Sequence, residues 1–304
     1  MAAAAALIAL DWGTTSLRAY LLGAGGAVLA SAEHPLGILQ VKDGDFALTF
    51  RRVTGTWRAD NPALPALAAG MIGSRQGWRE APYVECPAGL DEVARGVLKI
   101  AGDNLGIVPG MSTIDADGVP DVMRGEETQI LGAFADGRSA IAVLPGTHSK
   151  WVLVENGRIR RFATFMTGEA FAALAGHTIL GRLFEGEGFD AAGFARGVGH
   201  AALEPKGRGG LLHRLFSART LGLFGKVPSQ ALRSYLSGML IGSEIEEAAA
   251  WLGGKPGAVT VIGGASLSAA YHAALKQRGI AAEVAPADAA SRGLMRIARS
   301  AGLV

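Results

Sequence analysis

The feature that most constrains this chain is a four-residue turn that occurs twice in matched surroundings. Gly13-Thr14-Thr15-Ser16 follows the apolar run Leu7 to Leu10 and leads into Leu17 to Leu22. Gly146-Thr147-His148-Ser149 follows Ala140 to Leu144 and leads into Trp151 to Val154. A repeated supersecondary unit points to a duplicated architecture, with two turns able to serve one cleft. Glycine beside hydroxyl residues lets successive backbone N–H groups face outward as an anion-binding nest, and the Thr and Ser hydroxyls add donors. Phosphate suits such a pair, whereas one copy alone reads equally well as a plain hairpin turn. The candidate phosphate contacts are therefore Gly13, Thr14, Thr15, Gly146 and Thr147, with Lys150 either neutralising phosphate charge or lying on a solvated strand.

The two copies differ at the end of the strand that feeds them: Asp11 closes the first, Leu144-Pro145 the second. A carboxylate beside a polyphosphate cradle is the usual ligand of Mg²⁺, which keeps several of its waters. Asp11 is the metal candidate, although an Asp in that place also caps turns. A third glycine turn ends the apolar run Val259-Thr260-Val261-Ile262 and opens a helix. Its Gly263, Gly264 and Ala265 present backbone that can lie flat against a purine or ribose. The P-loop, the complete dinucleotide fingerprint, the zinc-protease helix and the serine-hydrolase elbow are all absent from the sequence.

A chain of 304 residues suits two domains, placed at 1–138 and 139–304, with the closing helix a candidate to pack back on the first. Apolar residues at 49% and charged residues at 18% supply two cores and exclude wholesale disorder. The net charge of +2 is too balanced for a nucleic-acid footprint. A single cysteine, Cys86, rules out an intrachain disulfide and any Cys-based zinc site, and fits a reducing cytoplasm. Met1 to Leu10 reads as an extended start feeding a buried strand rather than as a secretory leader. No run reaches the ~18 apolar residues of a membrane span. The oligomeric state is open, a homodimer being compatible with the sequence.

Periodicity predicts an α/β order. A three-strand meander comes first, then a helix at Phe46 to Arg58, a strand at Ala66 to Ile72, a helix at Leu90 to Ala101 and a strand at Leu105 to Val108 stopped by Pro109-Gly110. A helix at Glu126 to Ala135 precedes the second turn. Beyond it, Asn156-Gly157 marks a hairpin, and helices follow at Gly168 to Leu180, as a pair within Asp190 to Phe224, and at Ser229 to Leu252. Strands at Ala258 to Ile262 and Ala281 to Val284 alternate with helices at Leu267 to Arg278 and Ala289 to Ala301.

Two phosphate turns, one led by Asp, with a late Gly-Gly-Ala-Ser resemble the actin, hexokinase and Hsp70 superfamily. That resemblance implies a two-lobed, ribonuclease H-like ATPase fold with a central cleft. Five segments narrow it: Ala9 to Ser16, Gly70-Met71-Ile72-Gly73-Ser74, Arg124 to Gln129, Leu144 to Trp151, and Thr164 to Glu169. Together, over nearly the whole chain, they resemble the 2-dehydro-3-deoxygalactonokinase family of bacterial galactonate breakdown. The resemblance implies ATP and Mg²⁺ as cofactors and a small sugar acid as acceptor. Related sugar kinases carry a Gly-Asp-x-Gln segment where Gly125-Glu126-Glu127-Thr128-Gln129 stands here, which makes Glu126 the candidate base, with Glu127 and Asp11 as alternatives. Both glutamates also suit the first turn of a helix. An acid substrate needs a fork donor. Arg75, in the loop Ser74-Arg75-Gln76, is the first candidate and Arg18 the second, though either also reads as an ordinary surface arginine. Thr167 and Glu169 are cleft candidates, or else an N-cap and a first-turn acid. A non-catalytic nucleotide sensor and a kinase for another sugar are the competing readings.

Overall fold

The structure, a computed structural model, describes residues 4–59, 61–202 and 209–304. The chain opens with β1 (Ala5–Trp12), β2 (Leu17–Gly23) and β3 (Val28–His34), an antiparallel meander. Helix α1 (Phe46–Arg58) begins where the Asp45 side chain accepts the Leu48 N–H at 2.9 Å, and it buries Phe46, Thr49, Phe50 and Thr54, one stripe at helical spacing. Then come β4 (Ala66–Ala69), β5 (Tyr83–Glu85), α2 (Leu90–Arg95), β6 (Leu98–Ile100), β7 (Leu105–Ile107), β8 (Gly110–Ile114), β9 (Pro120–Met123) and α3 (Glu126–Ala133). The second half holds β10 (Ala140–Leu144), β11 (Ser149–Glu155), β12 (Arg158–Phe165), α4 (Thr167–His177), α5 (Ala191–His200), α6 (Leu211–Leu215), α7 (Ser217–Leu223), α8 (Ser229–Leu252), β13 (Ala258–Val261), α9 (Ala265–Gln277), β14 (Ala281–Val284) and α10 (Ala289–Ser300).

A six-stranded sheet has the order β3-β2-β1-β4-β7-β6 and a five-stranded sheet the order β12-β11-β10-β13-β14. In each, a hairpin leads into parallel strands, so the repeat seen in the sequence is a repeat of topology. Parallel strands with buried faces read as unbroken apolar runs, as Leu7 to Leu10 and Ala66–Ala69 do. Two compact units result. One comprises the chain up to Ser139, Val152–Phe162 and Pro286 onward; the other comprises Ala140–Trp151 and Ala163–Ala285. The first is centred on Ile8, Leu10, Trp12, Leu17, Phe50 and Ile107, the second on Val143, Trp151, Phe194, Val198, Val259 and Tyr271. Fully burying side chains of this size stabilises by roughly 1.5–3 kcal/mol each.

Within the first unit α10 lies directly on α3. A Cβ on Gly132 would fall 1.9 Å from the Ala289 carbonyl oxygen, and one on Gly293 would fall 1.9 Å from that of Thr128. Only glycine at both positions permits the backbones to meet so closely.

Four expectations need correction. The helical spacing of Leu90 to Ala101 is honoured only to Arg95, because Leu98–Ile100 pairs antiparallel with β7. The strand at Ala66 ends at Ala69, before the 3₁₀ turn Met71–Gly73. Three helices, not two, are described between Asp190 and Phe224. Gly110 begins a strand instead of ending one, in a separate sheet of order β5-β8-β9. Among the described residues no helix is long and apolar enough to cross a membrane.

Candidate active site

In the first unit β1 runs parallel to β4, with Asp11 opposite Ala69, and antiparallel to β2, with Asp11 opposite Arg18. The interior strand β1 therefore delivers Asp11 near its C-terminal end beside the turn, which closes through Gly13 N–H to the Ser16 carbonyl at 2.9 Å. Thr14 and Thr15 are exposed on that turn. Gly70, at φ 94°, passes so near the Trp12 carbonyl that a Cβ would sit 2.8 Å from its oxygen; Gly125, at φ 109°, would place one 3.1 Å from the Gly70 Cα. Both positions demand glycine for φ and for space. Their close approach draws the ends of β1, β4 and the start of α3 to one point.

Three carboxylates gather there. Asp11 keeps 22% of its side chain exposed and has Arg18 Nη1 at 3.9 Å. Arg18 also donates to Glu33 at 3.2 Å. Burial raises the Asp11 carboxyl above the usual carboxylate range, Arg18 lowers it, and Glu126 raises it further. Glu126 Oε2 accepts the Arg124 N–H at 3.0 Å. Glu127 is fully buried; its Oε2 accepts the Gly125 N–H at 2.7 Å and its Oε1 the Thr128 hydroxyl at 3.0 Å. Burial first, then the neighbouring Glu126 charge, pushes Glu127 up to about 8.

The loop that carries Ser74, Arg75 and Gln76 follows β4 and the 3₁₀ turn Met71–Gly73. Arg75 is 86% exposed and donates from Nε to Glu80 at 2.9 Å, and Gln76 is exposed beside it. Ser74 Oγ is buried with no hydrogen-bond partner among the described residues. Arg124, quoted in the sequence only as part of a motif, ties this loop down. Its Nη2 donates to the Ala81 carbonyl at 2.8 Å and its guanidinium lies 4.3 Å from the centroid of the Tyr83 ring.

In the second unit β10 delivers Pro145 and the exposed Thr147 and His148. Lys150 is buried at 4% exposure, with Nζ 3.2 Å from the His148 carbonyl, so the solvated-strand alternative fails. His148 Nε2 meets the Glu169 carboxylate at 2.5 Å, and the Glu169 N–H donates to the Thr147 carbonyl at 3.0 Å. Thr167 is not the N-cap of α4, which is Met166; its hydroxyl bonds instead to Glu244. β13 runs parallel to β10 with Val261 opposite Val143, which brings Gly263 beside Pro145. Gly264 caps α9, so Gly263, Gly264 and Ala265 lie exposed at a helix N-terminus next to the Gly146 turn. A helix N-terminus favours anions.

Sequence reasoning missed Glu244. This carboxylate, 2% exposed in α8, accepts from Ser149 Oγ at 2.7 Å, Trp151 Nε1 at 2.8 Å and Tyr271 OH at 2.6 Å, as well as from Thr167. Among the described residues no cluster of three or more His, Cys, Asp or Glu side chains could hold a metal by itself. Magnesium needs only one or two carboxylates and its own waters. Asp11, a hard oxygen donor still open to solvent, fits that requirement.

A family model described as 2-keto-3-deoxy-galactonokinase matches residues 11–297. The chain belongs to that family. The 2-dehydro-3-deoxygalactonokinase of Escherichia coli K12 is 34% identical over 289 residues, covering 95% of this chain and 96% of that one. The crystal structure of a provisionally named 2-dehydro-3-deoxygalactonokinase from Sinorhizobium meliloti superposes with a TM-score of 0.89 at 38% identity, over 97% of this chain and 98% of that one. The ADPNP-bound activator of 2-hydroxyisocaproyl-CoA dehydratase from Clostridium difficile shares the fold alone, with a TM-score of 0.50 at 11% identity and coverage of 98% and 96%. The chain is thus a kinase of the actin-like, ribonuclease H-like ATPase fold, as the paired turns and the late glycine turn imply.

Proposed function

We propose that the chain transfers the γ-phosphoryl group of ATP to the 6-hydroxyl of 2-dehydro-3-deoxy-D-galactonate, releasing ADP and the 6-phosphate, in the cytoplasm. The observation that carries this reading is the meeting of Asp11, Glu126 and Glu127 beside a Gly-Thr turn in a chain of this family. Phosphoryl transfer passes through a loose transition state, so the protein contributes mainly alignment and charge neutralisation.

Asp11 would hold Mg²⁺. When bound, that ion would supply positive charge to the transferring phosphate. Gly13, Thr14 and Thr15 donate to phosphate from the first turn; Gly146 and Thr147 donate from the second, with the Lys150 charge close beneath them. Gly263, Gly264 and Ala265 receive the adenosine. Glu126 accepts the proton of the attacking hydroxyl late in the reaction. Glu127, in contact with the same backbone turn and largely protonated at neutral pH, keeps a second negative charge away from the phosphate.

Arg75 releases Glu80 to take the substrate carboxylate, with Arg18 as second donor, while Ser74, Gln76, Thr167 and Glu169 remain the candidates for its other oxygens. A homodimer is the assembly to test by light scattering.

The decisive assay couples ADP release to a panel of 2-keto-3-deoxy acids and plain sugars. Turnover highest on the galactonate derivative is expected. Turnover on none of them removes the kinase reading, and preference for an uncharged sugar removes the acid specificity.

A further inference from the structure

A carboxylate buried in a helix is costly to place unless its oxygens are fully engaged. Glu244 is placed in that way, and each of its donors belongs to an element that frames the second phosphate turn. Ser149 is the last residue of the turn and the first of β11, and Trp151 stands two residues on, both reaching Oε1. Thr167 opens α4, and Tyr271 on α9 reaches Oε2. α4 in turn rests on the turn itself: a Cβ on Gly168 would fall 2.4 Å from the Gly146 carbonyl oxygen, and the Glu169 N–H donates to Thr147. α9 begins at the glycine turn assigned to adenosine. One acceptor group thus orients the exit of the phosphate turn, the helix packed against it and the helix of the adenosine turn.

We infer that Glu244 is a positioning residue for nucleotide binding: its carboxylate sets the geometry of the Gly146 to Ser149 turn without touching the nucleotide. The inference rests on the kinase reading. A carboxylate can only accept, so four donors converging on it leave the surrounding hydroxyls one arrangement each. A glutamine in its place has a single acceptor oxygen, which must stay with Ser149 and Trp151 because both already share Oε1 and the indole N–H cannot accept. Its NH₂ then faces the Tyr271 and Thr167 hydroxyls, which must reverse to accept it. α9, and α4 that rests on the phosphate turn, would then lose the acceptor that orients them while the cores stay filled.

The test measures ADP·Mg²⁺ affinity by calorimetry, and the KM values for ATP and for the sugar acid, on the full chain. Glu244→Gln should weaken ADP and raise the ATP KM by about 10-fold while moving the sugar-acid KM less than about 2-fold. Ser149→Ala should weaken ADP by about 3-fold, and the double variant should fall short of the product, because both act through one carboxylate. A Glu244→Gln protein with a lowered melting temperature but wild-type ADP affinity overturns the inference, as does strict multiplicativity of the two variants. Should Glu244→Gln fail to fold, Ser149→Ala and Trp151→Phe decide, and unchanged ADP affinity in both overturns it. A wild-type chain that binds no ADP removes the kinase reading and this inference with it. Wild-type binding with unaltered variants removes this inference alone.

Discussion

The two Gly-Thr turns share a backbone plan and differ in what surrounds them. The first stands among acids: Asp11 at the strand end and Glu126 and Glu127 at the start of α3, with Arg18 as the cation beside Asp11. The second has Leu144-Pro145 where Asp11 would stand, a buried Lys150 at its exit, and the N-termini of α4 and α9 beside it. A duplicated unit has thus been furnished with different chemistries, the carboxylates at the second turn, Glu169 and Glu244, being engaged by His148 and Ser149. Acids suit a metal ion and a proton; amides, hydroxyls and a lysine suit phosphate. On the proposed reading, the first turn serves the reacting end of the triphosphate and the second anchors it.

That contrast predicts where damage will be greatest. Asp11→Asn should cost about 10³-fold or more in kcat/KM, since charge neutralisation is the core of phosphoryl transfer; a Mg²⁺ titration of activity should saturate only at higher metal concentration than in the wild type. Glu126→Gln should cost roughly 10²-fold or more in kcat while sparing ATP affinity, and an unchanged rate would pass the base role to Asp11 or Glu127. Thr147→Ala should raise the ATP KM by about 5-fold with kcat nearly intact, whereas Thr14→Ala should lower kcat by a similar factor. Equal effects of the two threonine variants on both constants would erase the proposed division. Arg75→Ala, at a side chain 86% exposed, should raise only the sugar-acid KM, by about 3-fold.

Acidity offers a finer separation. Glu127 has its folded-state value raised from 4.5 to about 8, so between those limits the folded chain binds more protons than the unfolded one. Stability from this group is therefore complete below about 4.5 and is lost as pH rises through about 8. Glu127→Gln should flatten the fall of melting temperature across that window, and an equally steep fall in the variant would mean that other groups cause it.

Most of the architecture could be read from the chain because its parallel strands are apolar runs and its turns carry glycine. α1, β10, α8 and β14 lie where periodicity puts them. The three-stranded sheet escaped because Tyr83–Glu85 is short and half exposed, and because Pro109-Gly110 carries a stop signal where Gly110 is in fact the only residue that fits beneath the Tyr83 ring. Leu90 to Ala101 misled because apolar spacing alone does not register the break at Gly96. At the site, Asp11, Glu126 and the turns were legible through their glycines. Glu244 was not: it is one of three glutamates in α8, with Glu246 and Glu247, and Ser149 and Trp151 lie 95 and 93 positions away. Charge state was equally hidden, because nothing local to Glu126-Glu127 tells which of the two is sealed from water.

The fit of α10 on α3 has a temporal side. Arg296 Nη1 bonds the Leu131 carbonyl across 165 positions of chain, and the paired glycines bring the two helix backbones into direct contact. On a ribosome, the segment bearing Glu126 and Glu127 emerges long before its covering partner. Nascent protein would therefore carry these two acids on a helix whose covering partner has yet to emerge.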